Sequence, residues 1–240
     1  MGTKICAHRG LSHACPENTL PAFAAAISLG VHEIELDLWL SRDGVPVVCH
    51  DPRLDRTTNG IGVVTELDWK EIRAFDAGIN TRELWSGIRV PRFEEVVDCA
   101  AGKVGLNIHI KDPGPDGKLV KMTCDLVRNS SELIDRAYIA GDAKVLAVAR
   151  DYAPDIERCC LAGQNAPDAQ IDLAVKYACK RLQFSRKVTD VDAARAHEVG
   201  LINNLFWSDE LDDAKDYVEM GIDVILTNRA NLLLSLIGGE

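Results

Sequence analysis

Eight short β-rich runs recur along this chain, and most are followed by a segment of helical spacing. They are Lys4–His8, Glu33–Leu38, Val104–Lys111, Arg136–Ala140, Ile156–Leu161, Arg181–Phe184, Leu201–Phe206 and Asp223–Thr227. Strands that alternate with helices run parallel, because each helix carries the chain back across the sheet. Eight such units predict an α/β fold, the closed (β/α)8 TIM barrel; a doubly wound open sheet is the other arrangement the alternation allows. After the first run, Leu20, Phe23, Ala24 and Ile27 fall on one helical face, with Thr19 as N-cap and Gly30 as stop. Leu119, Met122 and Leu126 predict a second such face, and Leu211, Ala214 and Val218 a third.

One run breaks the alternation. Val45–His50 follows Leu38 after a linker containing Arg42-Asp43-Gly44, too short for a parallel crossover. The two runs therefore predict an antiparallel hairpin, placed near the second strand. Pairing Leu40 with Val45 would set Asp37 opposite Val48 and Glu35 opposite His50. The stretch from about 51 to 92 carries turn signals but little strand periodicity, and reads as a small insertion. Phe93–Ala100 resumes the barrel rhythm with a helix. The 240 residues suit one barrel domain of about 250 residues, spanning 1–240.

Function classes narrow on charge and cysteine usage. A formal net charge of −10 argues against a nucleic-acid partner, which needs a basic face. It leaves room for an anionic small molecule, since a bound cation can supply local positive charge. No run approaches the ~20 apolar residues of a membrane helix, and the stretch from Met1 to Lys4 does not read as a signal peptide. None of the eight cysteines forms a C-x-x-C pair. Buried reduced thiols in a cytoplasmic protein are the resulting expectation.

Polar residues on apolar strands point to chemistry. Residues two apart in a strand share a face. Glu35 and Asp37 therefore face one way, and Ile34, Leu36 and Leu38 the other. Two carboxylates inside a barrel are costly unless something compensates them. A hard divalent cation or an Arg or Lys partner can do so. Asn107, His109 and Lys111 share one face in the same manner, opposite Leu106, Ile108 and Ile110. His8 and Arg9 end the first run, where barrel enzymes place catalytic groups. Arginine grips phosphate oxygens with two donors, and histidine moves protons near neutral pH. An imidazole at His109 beside the carboxylates would favour manganese or another transition metal over calcium.

With these residues in hand, the chain resembles the glycerophosphodiester phosphodiesterase family. The match runs through Ala7-His8-Arg9-Gly10, Pro16-Glu17-Asn18-Thr19 and Glu35-Leu36-Asp37. It continues through Asp43 to Asp51, Leu54 to Gly60, Asp76-Ala77-Gly78 and Pro91 to Glu95. Asn204 to Trp207 and Gly221 to Asn228 match more loosely. The resemblance implies hydrolysis of a glycerophosphodiester to sn-glycerol 3-phosphate and an alcohol. It implies His8 and His50 as the acid–base pair, and Glu35 and Asp37 as ligands of magnesium or calcium. Arg9 and Lys111 would bind phosphate, Glu17 would orient Arg9 or the metal site, and Phe206 or Trp207 would pack against substrate. Two positions depart from the family pattern. His109 stands where the family has a metal-ligating Glu, and Asn228 follows Thr227 where the family has Asp. The same barrel acting on a lysophospholipid or sugar phosphodiester, or binding phosphoesters without turnover, is the alternative. The joint presence of His8, His50, Glu35 and Asp37 speaks against loss of catalysis.

Overall fold

The computed structural model describes residues 2–236; Met1 and residues 237–240 lie outside them. Its strands are β1 (Lys4–His8), β2 (Glu33–Leu40), β3 (Pro46–Val48), β4 (Gly105–Ile110) and β5 (Ala137–Gly141). They continue as β6 (Glu157–Cys160), β7 (Arg181–Ser185), β8 (Ile202–Phe206) and β9 (Val224–Thr227). All but β3 pair in parallel, and β1 bonds to both β2 and β9, which closes the sheet into the predicted eight-stranded barrel. The helices are α1 (Leu20–Ser28), α2 (Trp69–Ala74), α3 (Phe93–Ala100), α4 (Lys118–Asn129) and α5 (Ala143–Tyr152). Then follow α6 (Pro167–Lys176), α7 (Asp190–Glu198), α8 (Leu211–Glu219) and α9 (Ala230–Leu233).

Alternation along each strand sorts the side chains. On β2, Ile34, Leu36, Leu38 and Leu40 join the main apolar core with Phe23, Phe93 and Leu146 of the helices. Each fully buried aliphatic or aromatic side chain there contributes about 1.5–3 kcal/mol relative to exposure. Glu33, Glu35 and Asp37 alternate with them into the barrel interior, 4%, 3% and 1% exposed. The strand thus keeps its apolar face dry and commits its other face to polar work.

Three helical faces are rotated from the sequence expectation. On α1, Ala24 is exposed, and Ala22, Phe23 and Ala26 are buried. On α4 the buried stripe runs through Leu119, Val120, Thr123, Cys124 and Val127, with Met122 and Leu126 at its flank. On α8, Val218 is 40% exposed and Tyr217 is buried in its place. Small residues and Thr carry no strong hydropathy signal, so the pattern could not centre the stripe. Thr19 does hold the N-cap position of α1, but its hydroxyl donates to the Pro16 carbonyl instead of accepting from the helix.

The hairpin forms, but one residue out of the expected register: Leu40 pairs Pro46, Trp39 pairs Val47 and Leu38 pairs Val48. The cause is a tight loop over residues 42–44. Ser41 N donates to the Val45 carbonyl at 2.9 Å, and Gly44 takes φ +86° to close the turn, a left-handed value suited to glycine. Asp37 consequently meets Cys49, whose N–H donates to its carbonyl at 3.0 Å. The stretch 51–92 adds α2 and two short 3-10 helices around a small apolar cluster of Leu54, Val64, Ile72 and Val90.

Candidate active site

A cavity of about 210 Å3 opens at the C-terminal ends of the strands, lined by His8, Arg9, Glu35, Asp37, His50, His109, Lys111, Leu161, Gln164, Gln183 and Phe206. A larger one, about 380 Å3, opens at the opposite mouth between Lys4, Glu33, Tyr138 and Arg181. The buried polar groups there satisfy one another: Tyr138 donates to Glu33 at 2.7 Å, and Arg181 reaches Glu33 at 3.5 Å and Glu157 at 3.0 Å. The smaller cavity, on the face where barrel enzymes work, is therefore the candidate active site.

β1 delivers two of its groups. After His8 the chain enters two successive left-handed residues, Arg9 (φ 57°) and Gly10 (φ 80°). The arginine's conformation costs roughly 1–2 kcal/mol, and its N–H donates to Glu35 Oε2 at 3.0 Å. Gly10 is required by more than φ, since a Cβ there would sit 2.7 Å from the Ala22 backbone carbon. His8 Nδ1 hydrogen-bonds Asn228 Oδ1 at 2.8 Å, and its ring meets Phe206 edge-on at 5.3 Å. Burial first, then the Arg9 charge, lowers the His8 pKa to about 4, so the imidazole is neutral at pH 7.

β2 and β4 supply the acids and the second imidazole. Asp37 Oδ1 lies 2.8 Å from Lys111 Nζ and 3.2 Å from His109 Nδ1, and His109 Nδ1 is 3.9 Å from Glu35 Oε1. Asn18 holds Asp37 from the other side, its Nδ2 donating to Oδ2 at 2.9 Å. The two carboxyls respond oppositely. Burial and the Asp37 charge push Glu35 well above the usual carboxylate range, against Lys111 and Arg9. Burial would raise Asp37 too, but the His109 hydrogen bond and the Lys111 and Arg9 charges outweigh it and hold it well below that range. His109 is lowered, by burial first and by Lys111.

Oxygen and nitrogen atoms of Glu35, Asp37 and His109 lie within 4.8 Å of one another. The Glu35 carboxylate, 3% exposed with its charge under-compensated, is the feature a cation would relieve. Two carboxylates and a neutral imidazole form a donor set suited to a divalent ion. The residues therefore fit one.

His50 enters the cavity by a different route from the one the register suggested. β3 ends at Val48 and the chain bends after Cys49. Trp39 Nε1 donates to the His50 carbonyl at 3.1 Å, and Asp51 Oδ1 lies 2.6 Å from His50 Nδ1. Glu17 stands outside the lining and accepts from Arg9 Nη1 at 2.9 Å. Of the two aromatic candidates, Phe206 lines the cavity; Trp207 lies away from it, with the Arg186 guanidinium 5.7 Å over its ring.

Several participants escaped the sequence reading. Gln183 carried a usable signal, because Arg181 and Gln183 share one face of a strand whose other face is Leu182 and Phe184. Asn18, Asp51 and Asn228 fall within the matched motifs, but nothing in the sequence marks them, or Asp209, as the groups that hold the site side chains. Asp209 takes the Asn228 N–H and Nδ2 at 2.7 and 2.8 Å, so the residue facing His8 is itself fixed from a separate loop.

A glycerophosphodiester phosphodiesterase of Caldanaerobacter subterraneus subsp. tengcongensis is 46% identical over 127 residues, covering 50% of this chain and 52% of that protein. One from Bacillus subtilis is 36% identical over 126 residues, covering 48% and 43%. The matched stretch thus spans about half the length of these curated relatives. The crystal structure of a glycerophosphodiester phosphodiesterase from Agrobacterium tumefaciens superposes with a TM-score of 0.85 at 26% identity, over 97% of this chain and 99% of that one. An Oleispira antarctica phosphodiesterase, solved in complex with the product sn-glycerol-3-phosphate, shares the fold at 22% identity with a TM-score of 0.87, covering 98% and 96%. The sequence model of the glycerophosphoryl diester phosphodiesterase family matches residues 8–232, and to that family the chain belongs.

Proposed function

We propose that the protein hydrolyses glycerophosphodiesters to sn-glycerol 3-phosphate and an alcohol in a metal-dependent reaction. The observation that carries this reading is the convergence of two histidines, two carboxylates, an arginine and a lysine on one cavity at the C-terminal mouth of the barrel. The names of the relatives with 46% and 36% identity support it.

In this reading Arg9 and Lys111 hold the substrate phosphate. Glu35, Asp37 and His109 hold a divalent cation, which when bound would neutralise charge on a nonbridging phosphate oxygen. His8 and His50 are the acid–base pair. Each has its Nδ1 tied back, to Asn228 and to Asp51, which leaves Nε2 for proton transfer. One imidazole takes a proton from the attacking water as the new P–O bond forms. The other gives a proton to the leaving alcohol oxygen as the old P–O bond breaks. Phe206 borders this space and keeps one side of it apolar. The test is a screen of glycerophosphocholine, glycerophosphoethanolamine, glycerophosphoinositol and lysophosphatidylcholine with magnesium, calcium or manganese. Cleavage of at least one glycerophosphodiester is the expected result, and inertness toward all of them in every metal would overturn the reading. Faster cleavage of lysophosphatidylcholine would move the substrate class to lysophospholipids.

His109 makes the metal preference specific to this chain. A neutral imidazole in place of a carboxylate removes one negative charge from the cation's ligands and favours manganese or another transition metal. Metal binding followed by calorimetry on the native protein, His109→Glu and His109→Ala should show this directly. His109→Glu is expected to shift preference toward magnesium and calcium, and His109→Ala to weaken binding by roughly tenfold or more. Equal affinities and preferences in all three proteins would remove His109 from the ligand set.

A further inference from the structure

Arg56 lies on the stretch between β3 and α3, outside the cavity, with its side chain 47% exposed. Its Nε donates to Asp51 Oδ2 at 2.5 Å. Its Nη1 and Nη2 donate to the two oxygens of Glu17, both at 2.8 Å. Each of these carboxylates has a second partner that does line the cavity. Asp51 Oδ1 holds His50 Nδ1 at 2.6 Å, and Glu17 Oε1 accepts from Arg9 Nη1 at 2.9 Å. One planar guanidinium therefore joins two carboxylates from separate loops, and through them a histidine and an arginine that face the reacting phosphate.

This linkage also explains how Arg9 is shared. Arg56 occupies both oxygens of Glu17, so Arg9 engages that carboxylate through a single nitrogen. The Arg9 Nε meanwhile stays near Asp37, 3.4 Å from Oδ2. Without Arg56, Glu17 could take Arg9 as a two-pronged partner and turn its fork away from the cavity. Asp51 feels the same group: the Arg56 hydrogen bond first, then the His50 one, lowers its pKa to about 2. It thus stays a carboxylate facing His50.

We infer that Arg56 is a positioning residue: it sets the orientation of His50 and Arg9 and couples the 51–92 stretch to the reaction. This rests on the phosphodiesterase reading of the cavity. Magnitudes separate it from a structural role. Exposed ion pairs contribute about 0–1 kcal/mol to stability, whereas misplacing a reacting group by about 1 Å can cost about 10²-fold in rate. A lysine keeps the charge but cannot span two carboxylates with a rigid fork.

The experiment measures kcat, KM and melting temperature of the wild type, Arg56→Ala and Arg56→Lys on the glycerophosphodiester the wild type cleaves fastest. Nitrogen-15 NMR of the histidine imidazoles accompanies it. Arg56→Ala is expected to lose about 10- to 100-fold in kcat while melting within a few degrees of wild type. Arg56→Lys should recover only part of that loss. Millimolar guanidinium chloride should partly restore Arg56→Ala and leave the wild type unchanged. His50 imidazole signals should shift in Arg56→Ala, and those of His197, paired with Asp223 elsewhere, should not. Arg56→Ala with kcat within twofold of wild type would overturn the inference. Should the wild type cleave no diester, the phosphodiesterase reading fails on its own, and unchanged His50 signals in Arg56→Ala would then overturn the positioning role separately.

Discussion

Replacing either His8 or His50 with alanine is expected to lower kcat by about 10²–10⁴-fold, the scale of a lost general acid or base. KM should change far less, because Arg9 and Lys111, the proposed phosphate ligands, remain in place. Neither histidine is a main prop of the fold. His50 sits in a bend after β3, and its partner Asp51 retains Arg56. His8 is 6% exposed, so its removal leaves a small cavity beside Phe206 and costs some stability. Circular dichroism melts of each variant would confirm that the barrel persists. The pH profile adds a second check on His8. Its lowered pKa, about 4, means that it stays neutral at all pH values well above that and can accept a proton there. Near-normal kcat in either alanine variant, on a diester the wild type cleaves, would withdraw that residue from the acid–base pair.

Exhaustive chelation is expected to abolish hydrolysis, with a loss of roughly 10³-fold or more, and added divalent cation should restore it. A bound metal supplies several kcal/mol of charge stabilisation in the transition state, and each 1.36 kcal/mol is tenfold in rate. The same loss should follow from Glu35→Gln and Asp37→Asn. Their structural consequences differ. Glu35 is a carboxyl whose charge is under-compensated in the absence of metal, so its neutralisation should stabilise the metal-free protein slightly. Asp37 balances Lys111 and Arg9. Its neutralisation leaves two cations facing each other and should destabilise. Metal-free melting temperatures that moved together in the two variants would contradict this account of the charge balance.

The barrel was legible because its signal is repeated eight times, and an error in one unit does not change the whole. The position of Glu35, Asp37 and His109 was legible for a local reason. Strand alternation has a period of two, so a polar residue among Ile34, Leu36, Ile108 and Ile110 must face the opposite way. The hairpin register was not legible. It turned on whether Ser41 or Leu40 closes the turn, and a one-residue difference leaves the composition of the loop almost unchanged. His50 reached the cavity through a bend that no periodicity announces. The helical faces of α1 and α8 drifted because alanine and tyrosine do the burying there, and neither marks a stripe strongly. The contacts of the supporting residues were invisible for a third reason. Asn228 and His8 are 220 residues apart, and Arg56 and Glu17 are 39 apart. Such pairs become neighbours only after the barrel closes and the 51–92 stretch folds against it.

Phosphorus-31 NMR of a glycerophosphodiester incubated with the native protein tests the central claim most directly. With magnesium, calcium or manganese present, the diester resonance should decay and a phosphomonoester resonance identical to added sn-glycerol 3-phosphate should grow in equal amount. With excess chelator the spectrum should not change. A diester signal that persists in every metal, or one that decays at the same rate in chelator, would contradict a metal-dependent phosphodiesterase.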